Sequence, residues 1–333
     1  MKKYNKVIAI VMVMMLSALA LAGCGSTPAG STSADAAGGQ VYKIGISQLV
    51  EHPALDAATQ GFQDALIEKL GEGNVEFDVQ NAQGETANAS TIASGFVASE
   101  VDLIMANATP ALQAAAAATA DIPILGTSVT DYATALEIDD WTGVVGTNVS
   151  GTADLAPLDQ QAAMFAELVP DAKKIGLLYC SAEPNSGYQI SVIKGYLEEA
   201  GLECVEYAAA DSNEIQSVVT KACQEVDAIY IPTDNTIANN TELVNNIAQP
   251  AGIPIIAGEE GMCSGCGIAT LSISYYDLGY KTGLMAYEIL VNGADVSTME
   301  VAYADTVTKK YNEALCTALG ITVPEDYEAI ATE

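Results

Sequence analysis

Lys43-Ile44-Gly45-Ile46 and Lys174-Ile175-Gly176-Leu177 are two copies of one short apolar segment, 131 positions apart. Two more pairs recur in the same order. Val101-Asp102-Leu103-Ile104 returns as Val226-Asp227-Ala228-Ile229 after 125 positions, and Asp121-Ile122-Pro123-Ile124 is echoed by Gly252-Ile253-Pro254-Ile255 after 131. One such match says little, because short buried strands resemble one another. Three at nearly constant offset describe a chain that contains the same unit twice.

Each unit alternates strands with helices. In the first copy 41–47 reads as a strand and 53–70 as a helix, with Leu55, Ala58, Phe62, Ala65 and Leu66 at helical spacing behind a favourable Pro53. Val75, Phe77 and Val79 alternate as a strand, 86–99 is a helix, 101–106 a strand, 110–120 a helix and 122–126 a strand. In the second copy a helix over 186–200 answers 53–70. Strands alternating with helices of this length build parallel sheets from βαβ units. The expected fold class is therefore α/β, with two similar doubly wound parallel-sheet lobes. Such sheets carry their ligand loops at the carboxyl ends of the strands. Those loops are 48–56, 107–110 and 127–131 in the first lobe, and 181–186, 232–235 and 258–261 in the second. Thr233-Asp234-Asn235, directly after an apolar run, is a good helix cap in a good place for a ligand.

The N-terminus carries Lys2, Lys3 and Lys6, an apolar run over 7–21, and then Leu21-Ala22-Gly23-Cys24. That order reads as a secretory signal over 1–23, and the run is shorter than the ~18–20 residues of a spanning helix. Small residues directly before a cysteine resemble the lipobox of bacterial lipoproteins. The resemblance implies lipid on Cys24, each buried CH₂ holding by roughly 0.8 kcal/mol. An ordinary leader that happens to contain a cysteine is the alternative. Residues 24–40 read as a flexible tether spanning on the order of 20 Å. The remainder is long for one core and suits two.

The net charge is −31, and all 12 cationic residues are lysine. Three leave with the leader, so nine lysines face 43 acids. That excess argues against nucleic acid and against docking on anionic lipid. Without arginine no guanidinium fork can clamp a ligand carboxylate. Hydroxyls and backbone N–H groups at helix N-termini must serve instead.

Three blocks carry a family resemblance: Ile44 through Asp56 (IGISQLVEHPALD), Pro170 through Gly176 (PDAKKIG) and Ile231 through Thr236 (IPTDNT). They resemble the tryptophan/tyrosine-type ABC transporter substrate-binding lipoproteins, over about 41–320. The resemblance implies a type I periplasmic-binding-protein fold with three crossings between lobes and an amino-acid ligand, often aromatic. It also implies that 271–293, with Asp277-Leu278-Gly279 at its helix start, returns to the first lobe. The expected lobes are 41–150 plus 271–293, and 151–270 plus 294–333. The implied partners are the permease and ATPase of an importer. The chain is expected to be a monomer outside the cytoplasm, touching the membrane through its lipid alone. A sensory lipoprotein of the same fold, reporting to a membrane receptor or kinase, is the second reading, and an enzyme using the same cleft a distant third.

An amino-acid site needs a carboxylate for the buried ammonium, because an unpaired buried charge is too costly to keep. Asp234 and Glu260 lead, with Asp131 third; the competing reading makes each a helix cap or a solvated loop acid. Thr109, Ser128 and Thr130 are placed for the ligand carboxylate, Gln48, Asn185 and Ser186 to close the site from opposite lobes, and Asn235 beside Asp234. Tyr188 or Tyr275 are candidates to stack on an aromatic side chain. His52, the only histidine, is either a ligand contact or pH sensor, or the group that fixes its loop. It has no catalytic motif partner, and no phosphate-binding glycine loop is present, so no cofactor is called for. Six cysteines follow Cys24. Cys263-Ser264-Gly265-Cys266 has half a zinc site's spacing without the other half, and departs from the family pattern. A local disulfide and two free thiols are equally consistent with it.

Overall fold

A computed structural model describes residues 40–331; the leader, Cys24 and most of the tether lie outside the described residues. The first run is β1 (Tyr42–Gln48), α1 (Pro53–Leu70), β2 (Val75–Asn81), α2 (Thr86–Ala98), β3 (Leu103–Asn107), α3 (Thr109–Ala118), β4 (Ile124–Val129), α4 (Tyr132–Ala135) and β5 (Val149–Ala153). The second is α5 (Leu158–Leu168), β6 (Lys174–Cys180), α6 (Pro184–Glu199), β7 (Glu203–Ala209), α7 (Ile215–Glu225), β8 (Ala228–Ile231), α8 (Asn235–Ala238), α9 (Thr241–Ala251), β9 (Ile255–Ala257), α10 (Glu260–Cys266) and β10 (Ala269–Ser272). Then come α11 (Tyr275–Leu290), β11 (Ala302–Tyr303), β12 (Thr308–Tyr311), α12 (Glu313–Leu319) and β13 (Glu328–Ala329).

One sheet has the order β11-β5-β4-β3-β1-β2, the other β13-β12-β10-β9-β8-β6-β7. All neighbours are parallel except β10 and β12. Within each copy the order is the same: second, first, third, fourth, fifth strand. The repeated Ile-Gly segments are therefore the central strands β1 and β6, each at the point where strand order reverses. Ile44 and Ile46 are buried, and the glycine between them is required by packing. A Cβ on Gly45 would lie 2.6 Å from the Phe96 ring of α2. The chain crosses between sheets after β5, after β10 and after β11, which is the two-lobed architecture the resemblance implied.

The lobe boundaries fall later than expected. β5 runs past residue 150 to Ala153, and β11 adds Ala302–Tyr303 to the first sheet, whereas the expected second lobe takes in everything from 294 onward. β10 belongs to the second sheet, so the return to lobe 1 comes after Ser272 and not at 271. β5 reads Val-Ser-Gly-Thr-Ala and has no apolar alternation to reveal it. Its polar side chains are satisfied internally: Thr152 Oγ1 lies 3.1 Å from Thr127 Oγ1 and 2.8 Å from Thr282 Oγ1. All six described cysteines are free thiols, Cys263 and Cys266 both buried.

Helices α1 and α11, distant in sequence, cross with almost nothing between their backbones. A Cβ on Gly279 would stand 1.9 Å from Ala58 O, one on Gly61 2.1 Å from Tyr276 O, and one on Gly283 2.6 Å from Phe62 O. No side chain fits there without moving backbone. The core of the second lobe continues across the seam through Ala54, Ala58, Tyr275 and Leu278. Gly279→Ala is expected to cost about 1–3 kcal/mol in urea unfolding. Gly187→Ala, at a helical site with nothing within 4 Å, is expected to hold or raise stability. Equal behaviour of the two would contradict the close crossing.

Candidate functional site

Strand ends of both sheets contribute to one pocket. After β1 come His52 and Leu55; at the end of β4, Ser128 and Thr130; after β5, Asp154. From the other lobe come Asn185 after β6, Thr233, Asp234 and Asn235 after β8, and Glu259 after β9, with Tyr275 of α11 at the crossing. The cavity measures ≈ 10 Å³, about the space of one water. A wider cavity of ≈ 310 Å³ shares Asn235 with it and lies between Leu49, Val50 and Thr86 of lobe 1 and Glu183, Asp211 and Thr236 of lobe 2. Anything of amino-acid size therefore enters only when the lobes part.

Local geometry explains how the side chains are aimed. The pairing of β4 with β5 slips between Gly126 and Val129, an irregularity that redirects side chains. Within it Ser128 has φ 53°, a left-handed conformation uncommon for a residue with a Cβ. Ser128 Oγ is buried with no partner, and so are Asp154 Oδ1 and Asn185 Oδ1. Native interiors pair nearly all such atoms. Here three converge on one pocket from both lobes and the crossing between them.

The pocket is electronegative. Asp154 and Glu259 are 5% and 4% exposed, and Asp234 1%. Asp154 accepts a 2.8 Å hydrogen bond from Tyr275 Oη, and burial raises its pKa. Glu259 caps α10, accepting from the N–H groups of Gly261, at 2.5 Å, and of Met262. Burial still dominates and pushes it up to about 7. Asp234 caps α8 through Ile237 N–H at 2.9 Å and accepts from Cys180 N–H at 2.6 Å and Ser186 Oγ at 2.8 Å. Burial and then the charge of Glu183 raise it too. Glu183 is a second hub: the N–H and Nδ2 of Asn235 and the N–H and Oγ1 of Thr236 donate to it at 2.7–3.1 Å. Among the residues lining the pocket none is lysine or arginine.

Of the residues singled out from sequence, Ser128, Thr130, Asn185, Asp234 and Asn235 line the pocket. Gln48 does not; it holds its own loop, donating to Val50 O at 2.9 Å and Asp56 Oδ1 at 2.6 Å. Ser186 stands behind Asp234 as its donor. Thr109 is buried at the first turn of α3, with an unpartnered hydroxyl outside the lining. Asp131 is the half-buried cap of α4, outside the lining, accepting from Thr134 N–H at 2.7 Å. Glu260 points away from the pocket to Lys310 Nζ at 2.7 Å and Ser272 Oγ at 2.6 Å. Tyr275 lines the site and Tyr188 does not. Asp154, Glu259 and the Glu183 hub were not picked out in the sequence. Asp154 follows the strand that lacks alternation, and Glu259 occupies a cap position where Ser, Thr, Asp and Asn are the usual signal.

Because Glu259 is raised from an ordinary 4.5 to about 7, the folded chain holds its proton where the unfolded chain has lost it. Its burial costs stability above pH 7, and the cost is relieved as pH falls toward 4.5. Comparing melting temperatures at pH 8 and pH 5.5, wild type is expected to gain relative to Glu259→Gln on acidification. Parallel curves would contradict the assignment.

Comparison with known proteins bears on this pocket. Residues 43–333 match the profile of the family described as ABC transporter substrate binding protein. A tyrosine-binding protein of Clostridioides difficile (strain R20291) is 38% identical over 330 residues, 96% of this chain and 93% of that one. The ABC domain solved in complex with L-Trp from Streptococcus pneumonia is 36% identical, with a TM-score of 0.84, covering 87% of this chain and all of that one. The ligand-free, open structure of a substrate binding protein with adhesive properties from Clostridium difficile is 41% identical, covering 88% and 100%, yet its TM-score is 0.67. The more similar sequence superposes less well.

Proposed function

We propose that this chain, which belongs to the ABC transporter substrate-binding protein family, captures an aromatic amino acid of the tyrosine or tryptophan type between its lobes and hands it to an importer. The observation that carries the ligand class is Asp154. Its Oδ1 is buried and unpartnered, it shares the pocket with Glu259 and Asp234, and no cationic side chain lines that pocket. A buried acceptor in such surroundings calls for a cationic donor, which an α-ammonium supplies. Asn185 Oδ1 is a second free acceptor. The hydroxyls of Ser128 and Thr130 face the ligand carboxylate, in a chain without arginine. Leu55, Ala238 and Tyr275 supply the apolar wall. The names of two relatives, one tyrosine-binding and one solved with L-Trp, support an aromatic side chain.

The same reading places the protein outside the cytoplasm, held by lipid on Cys24. Among the described residues no helix is long and apolar enough to cross a membrane. Hinge closure around the ligand creates the form the permease would recognise.

Titration calorimetry against the twenty amino acids tests the ligand. L-tyrosine or L-tryptophan is expected to bind, and Asp154→Asn and Glu259→Gln each to weaken binding by about tenfold or more, the loss of a charged hydrogen bond being about 1.5–3 kcal/mol. Asp131→Ala, outside the pocket, is expected to change affinity less than twofold. No heat with any amino acid, or an Asp131 effect equal to that of Asp154, would remove the reading.

A further inference from the structure

His52 precedes α1 in the cap position, yet its side chain makes no capping hydrogen bond. Its ring is 7% exposed and reaches across the seam, with Nε2 3.3 Å from Asn235 Oδ1. Asn235 has no freedom to turn. Its Nδ2 donates to Glu183 Oε2 at 2.7 Å and its backbone N–H to the same oxygen at 3.1 Å, so the amide oxygen faces lobe 1 and the imidazole must donate from Nε2. Among the described residues this is the only hydrogen bond that joins the lobes away from the three crossings. Beside it the two helix starts touch: a Cβ on Gly261 of α10 would stand 3.5 Å from Pro53 Cβ of α1.

We propose that His52 latches the closed cleft by donating to Asn235, and that charging its ring with acid favours opening. The inference rests on reading this seam as the ligand site. The charged groups that act on the ring are Asp56 on its own helix and Glu183 from lobe 2, and Asp234, Glu259 and Asp154 line the same pocket. Carboxylates at these positions favour an imidazolium, but burial outweighs them and holds the ring below its ordinary 6.5. Parting the lobes wets the ring and returns it to that value. The closed form thus binds fewer protons. Closure is unimpaired above pH 6.5 and loses ground as pH falls below it. His52 acts through Asn235 as a positioning residue, timing release without needing to touch the ligand.

The test uses the full chain with L-tyrosine and L-tryptophan as probes. At pH 7.5 His52→Ala is expected to speed dissociation about 2- to 12-fold, the equivalent of one hydrogen bond. His52→Gln, which keeps an N–H donor, is expected to dissociate more slowly than His52→Ala. The ratio of Kd at pH 5.5 to Kd at pH 7.5 should be about 3- to 10-fold larger for wild type than for His52→Gln, one proton being worth at most tenfold per pH unit. Because Gln cannot titrate, this comparison subtracts the pocket carboxylates. In parallel, X-ray scattering of the ligand-free protein should show wild type expanding between pH 7.5 and 5.5 and His52→Gln not doing so. An unchanged dissociation rate in His52→Ala, or a pH ratio in His52→Gln equal to wild type, overturns the latch. If neither probe binds wild type, the ligand assignment falls, and the scattering comparison alone upholds or overturns the latch.

Discussion

Backbone contact between α1 and α11 is the constraint on which the site depends. Gly61, Gly279 and Gly283 let the two helices approach until any Cβ would strike a carbonyl. The N-terminal end of α1 presents His52 and Leu55 and that of α11 presents Tyr275, so the crossing sets where three pocket residues stand. It also fastens to lobe 1 a segment that follows the whole of lobe 2 in sequence. The chain must therefore pass between lobes repeatedly, and the crossings restrict the lobes to hinge motion. Close packing of this kind is bistable more readily than it is compressible, which suits a machine with an open and a closed form.

On the proposed reading, electrostatics supply the selectivity. Three carboxylates are buried around a pocket lined by one histidine and no lysine or arginine. Two of them are stabilised from within lobe 2, Asp234 by two N–H groups and a hydroxyl and Glu259 by two N–H groups. Asp154 takes the Tyr275 hydroxyl on one oxygen, while the other completes no hydrogen bond, although the Thr130 side chain lies close to the carboxylate. On the proposed reading, an incompletely satisfied buried acceptor makes the empty closed form less stable than the loaded one, and the correct ligand repairs it.

Much of the fold was legible because buried strands of a parallel sheet are nearly continuous apolar runs. The repeat at 43, 101 and 121 located β1, β3 and the start of β4, and its echo at 174, 226 and 252 located β6, β8 and β9. The loops after those strands hold nine of the residues that line the pocket, among them His52, Ser128, Thr130, Asn185, Asp234 and Asn235. What stayed hidden was polar by construction. β5 is knitted by threonine hydroxyls and not by apolar alternation, so the boundary after it and Asp154 beyond it carried no signal. Glu259 and Glu260 are neighbours of identical chemistry; only the start of α10 decides that the first faces the pocket and the second faces Lys310. Asp131 and Asp234 are both helix caps, and burial, which local sequence does not reveal, separates the half-buried one from the fully buried one in the site.

The hydrogen-bonding of Glu183 and Asp234 closes entirely within lobe 2. Asn185, Ser186, Asn235 and Thr236 are fixed by these two acids whether or not the other lobe is near. Lobe 1 offers instead a histidine that is a poor cap and a serine in a left-handed bend. The halves are thus unequal in readiness: most of lobe 2's pocket side chains are held in place from within, and lobe 1 is a lid whose contacts gain partners on arrival. Cargo would settle first on lobe 2, and the waiting time before the lid descends would be governed by that one surface.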